Sequence, residues 1–101
     1  MENIYYTYII TNIRNTVFYT GITNNLQRRT QEHREKKIIG FTSRYNVSKL
    51  VWYETFPTPQ EAIAAEKKIK GWGRRKKLAM IIKINPLFKD LDVLDSSTSS
   101  E

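Results

Sequence analysis

With 101 residues, 40% of them hydrophobic and no cysteine, the chain has room for one domain with a modest core, and for neither disulfides nor thiolate metal sites. No apolar stretch approaches the ~18 residues that span a bilayer, and no basic segment leads into an apolar run at the amino terminus, so a cytoplasmic protein outside the membrane is expected. The net charge is +7, but residues 84–101 set Lys89 against Asp90, Asp92, Asp95 and Glu101, a net −3 that leaves +10 for residues 1–83. That excess makes a polyanion the expected partner, nucleic acid first and an anionic membrane surface second.

Residues 4–10 are β-branched and aromatic, residues 11–16 are turn-prone, and Val17-Phe18-Tyr19 again favours a strand, which predicts a β-hairpin. Tyr8 and Tyr19 project from its two strands. Gly21 allows the backbone to turn or to approach another group closely. A helix follows, capped by Asn24 with Gln27 three residues on, and uninterrupted by Gly or Pro as far as Lys37. Arg29 and His33 are four apart on it and share a face beyond the end of the strand that carries Tyr19. A converging phenol, guanidinium and imidazole suit phosphodiester chemistry. Arg holds a phosphate through two parallel hydrogen bonds, while Tyr and His accept, donate or relay a proton. The plainer alternative is a packing tyrosine beside solvated basic residues.

Residues 37–49 show no sustained period and are expected to form a loop, with Arg44 and Tyr45 available to backbone and base or else covering the core. Residues 50–56 form the third strand of a small antiparallel sheet. Thr58, Pro59 and Glu61 start a helix that Gly71 stops. Glu66 falls inside the apolar arc of Ala62, Ala65 and Ile69, where a carboxylate needs a charge, hydrogen bonds or a metal; pairing with Lys70 one turn on is the structural alternative. Lys67, Lys68, Lys70, Arg74, Arg75, Lys76 and Lys77 crowd around Trp72 and, with Arg28, are expected to meet phosphates. Trp72 is expected to lock the connection into the core rather than stack on a base. Residues 78–82 continue as a helix whose basic first turn opposes its dipole. Asn85-Pro86 ends that helix, residues 87–91 fold back on the domain, and residues 94–101 read as a disordered acidic, serine-rich tail to a domain spanning 1–93.

Tyr6-Thr7-Tyr8 and Tyr19-Thr20-Gly21 resemble the two strand tripeptides that name the GIY-YIG nucleases, and the spacings from Tyr8 to Tyr19 and from Gly21 to Arg29 and His33 follow that family. Tyr6 and the two central threonines depart from its pattern, touching the strand backbone rather than the tyrosines. The likeness covers roughly residues 4–91 and points to the short, single-domain bacterial branch. It implies an α+β fold, a small three-stranded antiparallel sheet flanked by helices. It also implies a magnesium- or manganese-dependent endonuclease acting on DNA, structured or damaged DNA included. In that reading Tyr8, Tyr19, Arg29, His33 and Asn85 are catalytic and Glu66 is the metal ligand. Target selection would rest on the domain's own surface or on a partner protein. The competing class is a non-catalytic basic module that binds DNA or structured RNA through the same surface.

Overall fold

Three strands and four helices follow one another in the computed structural model, which describes residues 3–38 and 40–92. They are β1 (Tyr5–Thr11), β2 (Phe18–Thr23), α1 (Leu26–Arg34), α2 (Phe41–Arg44), β3 (Lys49–Phe56), α3 (Pro59–Lys70) and α4 (Arg74–Ile84). The expected tail at 94–101 lies outside the described residues. The sheet is antiparallel in the order β2-β1-β3, so β1 is central and is covered on both faces. The turn between β1 and β2 is closed by Asn12, whose Oδ1 accepts from the backbone N–H groups of Thr16 and Val17.

Strand alternation then sorts β1 into two interiors. Ile9 joins Val51, Trp52, Ile69 and Ile81 under α3 and α4, while Tyr8 and Ile10 join Val47 and Leu50 on the opposite face. Helix α3 is tied to the sheet by the Thr7 hydroxyl, which donates to the Ala62 carbonyl at 2.8 Å. Its start follows the sequence expectation. Thr58 Oγ1 accepts from the Glu61 N–H, Pro59 takes the first helical position, and Gly71 closes the far end.

Three local expectations are corrected. The cap of α1 is Asn25 rather than Asn24: Asn25 Oδ1 accepts from the Arg28 N–H at 3.1 Å, and the Asn25 N–H donates to Thr23 Oγ1 at 3.1 Å, so the last strand residue already orders the cap. The helix stops at Arg34 rather than running to Lys37, and Lys36 adopts a left-handed φ of 58° that cannot continue it. The segment expected to be irregular holds the four-residue helix α2, entered through Gly40 at φ 132°.

Asn85, expected in the catalytic set, is buried where α4 ends and bonded to the backbone of β3 and of the segment that follows α4. Between Ile9 and Ile10 the register of β3 shifts so that Ile9 faces Trp52 and Ile10 faces Leu50, leaving Val51 without an opposite number. The Val51 carbonyl accepts from Asn85 Nδ2 at 3.0 Å, and the same amide group bonds both the carbonyl and the N–H of Lys89. Asn85 is buried and consumed in joining the end of α4 to the bulge. The chain after it folds back as expected. Leu91 packs on the Tyr8 face and Phe88 on the Ile9 face, while Arg34 clamps Asp90 and Asp92.

Candidate active site

The register sets Tyr8 opposite Gly21 and Tyr19 opposite Ile10, which puts the two tyrosines diagonally on one face of the hairpin with ring centroids 6.5 Å apart. Gly21 is required by that arrangement. A Cβ built there would stand 2.6 Å from the Tyr8 hydroxyl and 3.1 Å from Tyr19 Cε2, so any larger residue forces the rings apart. The two turns of α1 then bring His33 over the pair. Its ring meets both tyrosines edge-on, with centroids 6.0 Å from Tyr8 and 5.7 Å from Tyr19.

The polar atoms of this cluster form a chain. The Tyr8 hydroxyl lies 3.0 Å from His33 Nε2, and His33 Nδ1 lies 3.1 Å from Thr42 Oγ1. All three residues are buried. Burial pushes the Tyr8 hydroxyl well above the ordinary phenol range and the Tyr19 phenol adds to the rise, against a smaller opposing pull from Arg29. Burial also lowers His33 to about 4, helped by the Arg29 guanidinium, while Glu32 resists. The resting pair is therefore a neutral phenol beside a neutral imidazole.

Arg29 and Arg28 separate as the helical spacing requires. The Arg29 side chain is one-third exposed and acts on both Tyr8 and His33, whereas Arg28 is exposed to 58% and stands 3.8 Å from Glu32. Arg29 Nε approaches Glu32 Oε1 to 3.2 Å, at an angle that leaves its buried N–H without an acceptor among the described residues. A desolvated guanidinium N–H in that state favours an incoming anion.

Glu66 reaches the same region from α3. Its carboxylate, 18% exposed, pairs with Lys70 at 2.9 Å, so the ion pair weighed for this position is formed. The Lys70 ammonium lies 6.0 Å from the centre of the Tyr19 ring, and its hydrogen bond to Glu66 holds its pKa above the ordinary value. Lys70 thus belongs beside the tyrosines. Sequence spacing offers it as a partner of Glu66 and as one of the phosphate-facing lysines, without its place beside Tyr19.

The rest of the basic run is not uniform. Lys67, Lys68, Arg75 and Lys76 are exposed and Lys77 is partly covered. Arg74 donates to the carbonyls of Thr16 and Asn15 at 2.9 and 3.0 Å and lies over the Phe18 ring, which makes it a clamp on the β1–β2 turn. Trp72 packs against the Ile9 face as expected, with Lys76 Nζ 4.6 Å above its ring. Tyr45 is exposed and packs at a tilt against Phe41, with ring centroids 5.0 Å apart. Thr42 is invisible to sequence reasoning because a threonine in an aperiodic stretch carries no signal of its own; only the fold of α2 brings it to His33.

A three-stranded antiparallel sheet with helices, with two tyrosines, a histidine and an arginine gathered on one face, defines a small α+β domain. The family model for the GIY-YIG catalytic domain matches residues 4–79, and the chain belongs to that family. Its relatives include UPF0213 proteins. That of Haloquadratum walsbyi is 32% identical over 76% of this chain and 85% of its own length, and that of Oceanobacillus iheyensis is 33% identical over 80% and 93%. The match to the UPF0213 protein of Bacillus pumilus, at 37% identity, takes in 58% of this chain and 60% of that one. The solution NMR structure of the UPF0213 protein BH0048 from Bacillus halodurans is similar with a TM-score of 0.54 and 28% identity, over 86% of this chain and 92% of that one.

Proposed function

We propose that this chain is a divalent-metal-dependent endonuclease that hydrolyses phosphodiester bonds in DNA. The observation that carries the reading is the buried Tyr8–His33–Thr42 hydrogen-bonded chain with Arg29 nearby, whose Nε–H has no hydrogen-bond acceptor among the described residues. A polar chain of this kind is costly to bury and needs a reason beyond packing.

The donor set fits a hard divalent ion loosely held. No group of three or more His, Cys, Asp or Glu side chains that could hold a metal occurs among the described residues, and Glu66 is the one carboxylate that acts on Tyr8. Magnesium and manganese are commonly bound by one or two carboxylates, with water and phosphate oxygens completing the shell, so Glu66 suffices as the protein ligand. Bound there, the ion would supply Lewis-acid stabilisation at the scissile phosphate.

The chain's own residues do the remainder. Arg29 takes the phosphoryl oxygens as negative charge builds in the pentacoordinate state, with donors already oriented and partly desolvated. Tyr8 or Tyr19 accepts the proton of the attacking water as the phenolate, its own proton having first left to solvent water. Tyr8 rests as a phenol because of its burial, and the approach of positive charge favours its ionised form. His33 stays neutral and holds the Tyr8 oxygen in place. Exposed Lys67, Lys68, Arg75 and Lys76, with Arg28, gather the DNA backbone. A protein partner would add target selection.

Incubation of the protein with labelled linear, nicked and branched DNA in magnesium, manganese or chelator tests this. Cleavage is expected with metal and is lost with chelator. It is also lost in Glu66→Gln, which should keep the wild-type melting temperature within a few degrees, since a partly exposed ion pair contributes only ~0–1 kcal/mol. Salt-sensitive binding without cleavage of any substrate would replace the enzyme with a basic binding module.

A further inference from the structure

We propose that Thr42 is a positioning residue for the Tyr8–His33 pair: its hydroxyl oxygen accepts a hydrogen bond from the Nδ1–H of His33, which leaves Nε2 bare and aimed at the Tyr8 hydroxyl. The inference rests on the nuclease reading only for its rate measurement. Its structural half stands on the geometry alone.

Three observations place the hydroxyl. Thr42 is 4% exposed and its Oγ1 is 3.1 Å from His33 Nδ1, on the side of the ring away from Tyr8. Its backbone is fixed as well, since the Thr42 carbonyl accepts from the Val47 N–H at 2.9 Å, and Val47 is buried in the same cluster as Tyr8. The start of the short helix is closed by Ser43, whose Oγ accepts from the Gly40 N–H and donates to the Gly40 carbonyl. Helix α2 is thereby a fixed mount for one hydroxyl.

The direction of the hydrogen bonds follows from the proton inventory. Tyr8 is fully buried and protonated at neutral pH, so its O–H needs an acceptor, and His33 Nε2 stands at 3.0 Å. A neutral imidazole accepting at Nε2 carries its proton on Nδ1, and that N–H then donates to Thr42 Oγ1. This is the reverse of the Nε2–H form that free histidine prefers. The arrangement serves the site because a hydroxyl, unlike a carboxylate, fixes the tautomer without bringing in a charge that would raise the imidazole's basicity. His33 then remains an acceptor for Tyr8 rather than a cation competing with Arg29.

The chain has a single histidine, so its ring nitrogens can be read without assignment ambiguity. In ¹⁵N-labelled protein at neutral pH, long-range ¹H–¹⁵N spectra should show a protonated-type Nδ1 and a bare-type Nε2. Thr42→Val keeps the side-chain shape but removes the acceptor, and the protonation should move to Nε2 in whole or part. Thr42→Ser should keep the wild-type pattern and acts as the control if the valine variant folds poorly. An Nε2–H form in the wild type, or an unchanged Nδ1–H form in Thr42→Val, overturns the assignment. In single-turnover cleavage, Thr42→Val should be slower by roughly 10–100-fold, the usual loss on removing such an orienting partner, with affinity for DNA unchanged and the rate restored in Thr42→Ser. A tautomer that moves while the rate does not would overturn the positioning role. If the wild type cleaves nothing, the nuclease reading fails and the tautomer is still decided by the spectra.

Discussion

The two faces of the sheet share one strand and differ in chemistry. Under α3 and α4, Ile9, Val51, Trp52, Ile69 and Ile81 form a contiguous apolar cluster. Under α1 and α2, Tyr8 shares the interior with His33 and Thr42, and every nitrogen and oxygen in that chain has a partner. The first face has the composition of an ordinary core, held by area and shape. The second gives up apolar area for hydrogen bonds, which stabilise little on balance and lose much when one partner is removed. The α3–α4 face is thus the more apolar of the two, and the other carries most of the residues of the proposed chemistry.

The largest effects should come from exchanging those assignments. Ile81→Ala opens a cavity in a fully buried position and should cost about 2–5 kcal/mol in urea unfolding. Because Ile81 lies on the face away from Tyr8 and His33, the folded fraction should still cleave at the normal rate. Tyr8→Phe keeps the ring and removes the hydroxyl, so it should cost no more than about 1–3 kcal/mol, the penalty for leaving His33 Nε2 unsatisfied, while abolishing cleavage. If Tyr8→Phe were the more destabilising of the two, the polar face would be the structural core.

A nearly equal effect is expected at Arg29, read as rate rather than stability. Arg29→Ala removes a donor from an oriented site, which typically lowers the rate by ~10²–10³, with little change in binding. Arg28, whose side chain is exposed, should show the reverse when changed to Ala: weaker binding and a nearly normal single-turnover rate at saturating protein. Arg29→Lys should stay impaired, because an ammonium cannot reproduce two parallel hydrogen bonds. Equal losses of rate and affinity in the Arg28 and Arg29 variants would remove the distinction.

The pH dependence of stability separates the faces again. His33 is lowered to about 4 in the folded protein, from an ordinary 6.5, so between those values unfolding takes up a proton. The stability that His33 contributes is complete above pH ~6.5, is lost as pH falls toward 4, and levels off below that. The loss should amount to ~1–3 kcal/mol, because each tenfold difference in proton affinity between the folded and unfolded chain corresponds to about 1.4 kcal/mol. Urea unfolding at pH 7 and pH 4.5 measures it. His33→Gln should show a smaller drop over the same interval. Identical drops in both proteins would mean that folding leaves the proton affinity of the imidazole unchanged.

How far the sequence announced these regions depends on whether each signal was local. The strands, the Thr58 cap and the Gly71 stop were legible because a few adjacent residues determine them. The approach of Tyr8, Tyr19, Arg29 and His33 followed from strand alternation and an i, i+4 step. Asn85 could not be read that way. An Asn before Pro looks the same whether it serves a substrate or a bulge, and the bulge lies 34 residues earlier at Val51. The cap shifted from Asn24 to Asn25 because the deciding bond comes from Thr23, one residue outside the capping pattern. The place of Thr42 beside His33, and the approach of Lys70 to the Tyr19 ring, came only through tertiary geometry.

The smallest effect should appear on the basic surface, and the structure narrows where to look for it. Arg74 is bonded to the β1–β2 turn and Lys76 lies over Trp72, so changing either mixes packing with charge. Lys67 on α3 and Arg75 on α4 are exposed and free of any ion pair among the described residues. Each neutralised phosphate contributes about 0.9 to the log–log salt slope on duplex DNA, so the double change Lys67→Ala, Arg75→Ala should flatten that slope by roughly 1.8. The effect should be the same for every DNA sequence, because phosphate contacts carry no base information. Single-turnover rate at saturating protein should stay near normal, in contrast to Arg29→Ala. A slope that does not change would move the DNA from the α3–α4 connection toward Arg28 and the exposed α2 surface. The same titration repeated with Arg28→Ala would then show the larger change.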